Sequence, residues 1–258
     1  MKMNKIVSSV ALLAIAGNVL MAGGDIAPVE PVVAEEVVSD EWKYSASLYL
    51  WTSSIGGNTS DGTDIDVSFS DLLEDLDFVY MGTLGAQKGK WGFQTDIMYI
   101  KLGNKPNTYQ EGGAPVLTNI EFKTWVVTPT VSYRVIESEQ LDLDVLAGAR
   151  YFYMQPKITV SPFPEMSGSD SAWNGIVGVR GKYDLNENWS MPFQFDVGTG
   201  DIDVTWQAFA GVAYKYENFD VVAGYRHLQW DFEDSDTFGA MFNEFSMSGP
   251  IIGAKYRF

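Results

Sequence analysis

Residues 141 to 153 read LDLDVLAGARYFY. Taken alternately, one set is Leu141, Leu143, Val145, Ala147, Ala149, Tyr151 and Tyr153, and the other is Asp142, Asp144, Leu146, Gly148, Arg150 and Phe152. Side chains on a strand point to opposite faces by turns, so the first set forms an apolar face and the second a face carrying charge. A strand of about ten residues with that alternation suits a wall that meets lipid on one side and a polar interior on the other.

The same period-two pattern recurs at 42–52, 78–88, 91–102, 119–135, 172–184, 189–199, 203–216, 219–230 and 244–258. With 141–153 the count is about ten, an even number as bacterial barrels require, and boundary slips leave eight or twelve open. The fold class is all-β: a transmembrane antiparallel up-and-down β-barrel. Links at Gly89, Glu137 to Gln140, Leu185 to Asn188 and Glu217 to Asn218 are tight. Those at 53–77, 103–118, 154–171 and 231–243 are longer, and only 199–203 breaks the alternation of short with long. Short periplasmic turns and long outer loops produce that sorting.

The aromatic residues sharpen the reading. With both termini in the periplasm, Trp42, Tyr44, Trp91, Tyr133, Tyr183, Trp189, Tyr214, Tyr216, Tyr256 and Phe258 fall near the inner boundary. Phe78, Tyr80, Tyr99, Trp125, Tyr151, Tyr153, Trp173 and Trp206 fall near the outer one, and smaller aliphatics lie between. Amphipathic rings collect at the two membrane–water interfaces, which gives two girdles around an aliphatic band.

Lys2 and Lys5 precede an apolar run from Ile6 to Met21, followed by Ala22, Gly23 and Gly24, the layout of a signal peptide over 1–22. Residues 23–41 hold Pro28, Pro31 and several acids without a buried face, and read as an acidic periplasmic linker; the barrel then occupies 42–258. The net charge of −17 disfavours nucleic acid as a partner. The absence of Cys removes disulfides, thiolate chemistry and a lipid-anchoring Cys.

The terminal IIGAKYRF (251–258) resembles the closing strand of bacterial outer-membrane barrels. LYLWTSSIGG (48–57), FSDLLEDLDFVYMG (69–82), KGKWGFQTDIMYI (88–100) and GYRHL (224–228) resemble a family of bacterial outer-membrane proteins related to the OmpA-like small barrels. The resemblance implies location in the cell outer membrane, contact with lipid and lipopolysaccharide, and recognition by the barrel-assembly machinery through Tyr256 and Phe258. It carries no activity and leaves the oligomeric state open.

Chemistry-bearing residues are sparse. The sole histidine, His227, shares a face with Tyr225 near the outer boundary, with Asp231 close in sequence. No Ser at matching spacing accompanies it, and Tyr225 stands where the barrel proteases carry the Asp of an Asp-x-His pair, so no catalytic residue is assigned. Asp61, Asp64, Asp66 and Asp71 offer hard oxygens, but their spacing fails the EF-hand pattern, and neither a metal nor a cofactor is assigned. Leu72, Leu73 and Leu76 fall at helical spacing, which predicts a short amphipathic helix over 70–76 packing on the barrel rim, with a pore lid or partner surface as the alternative.

The inward set carries Lys43, Asp96, Arg134, Asp142, Asp144, Arg150, Arg180, Lys182, Asp196, Lys215, Asp220, Arg226, Lys255 and Arg257. In a narrow lumen such charges must pair or stay hydrated. Two roles follow: a structural envelope protein stiffened by an ion-pair network, or a narrow passive channel for small solutes. An outer-membrane enzyme acting on lipid or peptide at the rim is the alternative.

Overall fold

A computed structural model describes residues 41–60, 62–103, 107–111, 114–160, 166–233, 238 and 242–258. The expected signal peptide and all of the linker except Glu41 lie outside the described residues. The chain enters the barrel with β1 (Lys43–Trp51) and continues through β2 (Ser54–Thr59), β3 (Asp64–Val67), α1 (Phe69–Glu74), β4 (Leu76–Lys88) and β5 (Trp91–Leu102). Then come β6 (Asn107–Glu111), β7 (Ala114–Glu137), β8 (Leu141–Val160), β9 (Met166–Ser167) and β10 (Asp170–Asp184). The last are β11 (Trp189–Gly200), β12 (Val204–Tyr216), β13 (Phe219–Asp231) and β14 (Phe242–Arg257).

Ten strands close the barrel in the order β1, β4, β5, β7, β8, β10, β11, β12, β13, β14, each antiparallel to the next. β14 returns to β1 from Ser45↔Arg257 to Trp51↔Ile251, so the membrane wall leaves no end strand unpaired along its inner half. The inner turns are tight. Gly89 turns the chain between β4 and β5 with φ at 56°, and Glu217 is the sole non-glycine residue with positive φ among those described, at 46° in the turn before β13.

The outer connections carry more structure than the loops expected at 53–77 and 103–118. β2 continues the line of β1, pairs β14 from Ser54↔Ser248 to Phe242↔Thr59, and folds back on β3. β6 pairs an extension of β7, which also climbs alongside β8 as far as Thr118↔Val160. A strand that rises beyond the bilayer has no lipid face, and β3 exposes Asp64 and Asp66 on one side and half-buries Ile65 and Val67 on the other, an alternation only four residues long. The expected helix starts one residue earlier and ends two earlier, at Phe69–Glu74, where Ser68 caps its start by accepting from the Asp71 amide (3.3 Å).

The outward faces follow the expected parity. Leu48, Val145, Val177 and Ile252 are exposed along the middle of the wall, and Trp42, Trp91, Trp189 and Tyr256 near its inner end. At the outer end rings contact each other across strands, Tyr99 with Trp125 (4.4 Å between centroids) and Tyr151 with Trp173 (4.8 Å). On the inward face of 141–153, Leu146, Arg150 and Phe152 are buried at 4%, 0% and 1% exposure, and Asp142 and Asp144 are half-buried.

Candidate functional site

The lumen is built in layers. At the periplasmic mouth, Arg134 on β7 meets Asp142 (3.2 Å) and, closer still, Asp144 on β8, while Lys182 on β10 holds Asp184 at 2.8 Å and lies 3.9 Å from Asp142. Arg257 on β14 binds Asp220 on β13 at 2.5 Å. Arg180 donates to Gln94 and to Ser132 (2.9 Å). Lys43, Lys215 and Lys255 are exposed at this end, so the mouth is a solvated vestibule rimmed with positive charge.

Farther in, the network crosses the lumen. Arg226 on β13 donates to Asp96 on β5 (2.9 Å), to the Tyr49 hydroxyl on β1 (3.0 Å) and to Gln207 on β12 (2.5 and 3.0 Å). Its guanidinium also lies over the Trp51 ring at 4.9 Å. Tyr49 and Thr83 both donate to the Asp96 oxygen that Arg226 leaves unused, at 2.7 and 3.1 Å. Gln207 passes the chain on by donating to Asp196 on β11 (3.2 Å), which also accepts from Gln194 (2.9 Å) and from Arg150 on β8 (2.5 Å). Arg150 and Asp196 are both fully enclosed, at 0% side-chain exposure. Each inward acid named from the sequence thus has a basic partner: Asp96, Asp142, Asp144, Asp196 and Asp220.

The outer half of the lumen is apolar, and sequence reasoning, which expected a polar interior, missed it. Phe152 stacks on Trp230 (4.6 Å) and touches Phe238 (5.2 Å) and Phe245 (6.0 Å). Met81, Met98, Met154, Met247, Val126 and Leu228 fill the space around them, all buried. The signal was present in the parity: inward positions beyond Arg150 and Arg226 are Phe152, Met154, Leu228 and Trp230, the apolar continuation of a charged face. Flexible thioethers suit such irregular gaps between rings.

His227 lies outside the lumen. Its ring packs on Trp206 at 4.4 Å, and Nε2 is 3.1 Å from Gln229, which in turn donates to Asp231 (2.6 Å). Ser248 stands opposite His227 in the β13–β14 register, but no hydrogen bond joins their side chains, and the contacts His227 makes are those of packing at the outer girdle. Asp61 lies outside the described residues; among those described, no group of three or more His, Cys, Asp or Glu is placed to hold a metal ion.

Phe258 closes the seam. Its amide donates to the Tyr44 carbonyl and its carbonyl accepts from the Tyr44 amide, both at 3.1 Å, and its ring lies 5.4 Å from Tyr256 on the outward face. Deleting Phe258 removes both seam hydrogen bonds and an exposed interfacial ring. The expected result is less folded barrel in cells, read as loss of the heat-modifiable band in outer-membrane fractions; unchanged abundance would contradict it.

A closed antiparallel barrel with an aliphatic waist, two aromatic girdles and an interior of paired charges is an integral outer-membrane β-barrel protein. No protein-family model and no curated protein matches the chain. Among solved structures it is similar to the outer membrane protease OmpT from Escherichia coli, with 9% identity and a TM-score of 0.47 over 85% of this chain and 97% of that one. It is also similar to Ail, the attachment invasion locus protein of Yersinia pestis, with 14% identity and a TM-score of 0.38 over 84% of this chain and 98% of that one. Neisserial surface protein A matches with 13% identity and the same TM-score, over 84% of this chain and 97% of that one.

Proposed function

We propose that this protein is a structural component of the outer membrane whose lumen is closed to ions and solutes, working without a catalytic centre or cofactor. The observation that carries the reading is the filling of the lumen by two successive layers, the Arg226–Asp96 and Arg150–Asp196 network and then the Phe152–Trp230–Phe245 plug. A hydrophobic constriction closes a pore by dewetting, and the outer half is filled with buried rings and thioethers. Charges paired across the lumen tie strands that are distant in sequence, which supports a role in stiffening the wall. Ion conductance of the purified barrel in planar bilayers tests the reading.

The partners proposed are lipid and lipopolysaccharide at the girdles, and the barrel-assembly machinery at Tyr256 and Phe258. The outer connections 53–77, 103–118, 154–171, 199–203 and 231–244 hold 17 of the 34 acidic residues, so divalent cations are needed to bridge them to anionic lipopolysaccharide. Export is proposed to proceed by cleavage after about Ala22. Mass spectrometry of the mature chain should find its N-terminus near Gly23; a chain that keeps Met1 to Met21 would contradict that.

A further inference from the structure

Among the described residues, the wall breaks between β1 and β4 at the level of the outer girdle. β1 pairs β4 only from Lys43↔Gln87 to Leu48↔Gly82, although β1 runs on to Trp51 and β4 begins at Leu76. Beyond that level β2 turns to β3, pairing from Ile55↔Val67 to Asn58↔Asp64. Among the described residues, the stretch of β4 from Leu76 to Met81 is then paired with β5 alone. α1 spans the interval. Behind it lies a cavity of about 150 Å³.

The cavity is lined from the lumen by Trp51, Met81, Ile100, Phe245 and Met247, and from the helix side by Phe69, Leu72, Leu73 and Leu76. Ser53, Thr52 and Thr124 also line it, and the Thr52 and Thr124 hydroxyls donate to the backbone carbonyls of Pro250 (3.0 Å) and Tyr153 (2.9 Å). Among the described residues, no ionisable side chain lines it. Leu50 does, and Leu50 is 57% exposed on the outward face beside Ile252, so the cavity is continuous with the lipid-facing band.

We propose that this cleft binds a small uncharged hydrocarbon or arene that partitions into it from the outer membrane interface. Size argues for it: an engineered apolar cavity of about 150 Å³ stays dry and admits benzene. An apolar void also forfeits dispersion contacts that a solute of that size restores. An amphiphile fits less well. Its headgroup would sit at the girdle, level with the mouth, and its chain would have to fold back away from the bilayer centre to enter. The site abuts the filled lumen at Trp51, Met81, Phe245 and Met247, and binding there requires no conduction.

The test is benzene titrated into the folded, detergent-solubilised protein, read by NMR of labelled Leu, Ile and Met methyl groups. Signals of Leu72, Met81 and Met247 should shift and saturate, while those of lipid-facing Leu48 and Leu84 drift in proportion to benzene dissolved in the micelle. Ile100→Trp and Leu72→Trp each fill the cavity and should abolish saturation. Leu72 is on the helix outside the barrel wall, so that variant decides the matter if Ile100→Trp fails to fold. Dodecanoate should give no saturable shift. Proportional drift at every methyl, saturation that survives in Leu72→Trp, or saturation by dodecanoate would each overturn the proposal.

Discussion

Asp196→Ala is expected to destabilise the folded barrel by about 3–5 kcal/mol, the cost of leaving one member of a buried ion pair without its partner. The substitution strands the guanidinium of Arg150, which is fully enclosed, and removes the acceptor of both Gln194 and Gln207. Urea unfolding in detergent micelles, followed by tryptophan fluorescence, measures the loss. Adding Arg150→Met should recover much of it, because two neutral groups of suitable volume need no compensation. A double variant as unstable as the single one would show that the pair is not the source of the cost.

Trp230→Ala is expected to cost about 3–5 kcal/mol through the cavity it leaves. Trp230 is 0% exposed, stacks on Phe152 and lies 5.7 Å from Phe245, so its removal opens the plug at its centre. Trp230→Phe keeps a ring in the stack and should lose clearly less. Equal midpoints for Trp230→Ala and wild type in urea would mean that the outer lumen is not packed.

The wall of this protein was legible in its sequence because a barrel strand has two different solvents on its two faces. Leu141 to Tyr153 alternates for that reason, and the ten strands, the girdles and the inward charges follow from the same rule. Pairing was not legible: Asp96 and Arg226 are 130 residues apart, and parity places both inside without saying that they touch. The plug was hidden for another reason. Phe152 was read as part of the charged inward face and Met154 as the start of an outer connection, since alternation tells inward from outward but not wet from dry. The strands β2 and β3 were hidden because both their faces lie outside the bilayer's contrast, and the break they create beside β4 depends on hydrogen bonds that no local pattern encodes.

The central claim is that the lumen is shut by packed side chains along its length, and single-channel recording in planar bilayers tests it most directly. Folded, heat-modifiable protein inserted at low density should produce no stepwise current over the applied voltages. Reproducible unitary steps from wild-type protein would contradict the account, because they require a continuous aqueous path through the layer of Arg226 and Asp96 and past Phe152 and Trp230.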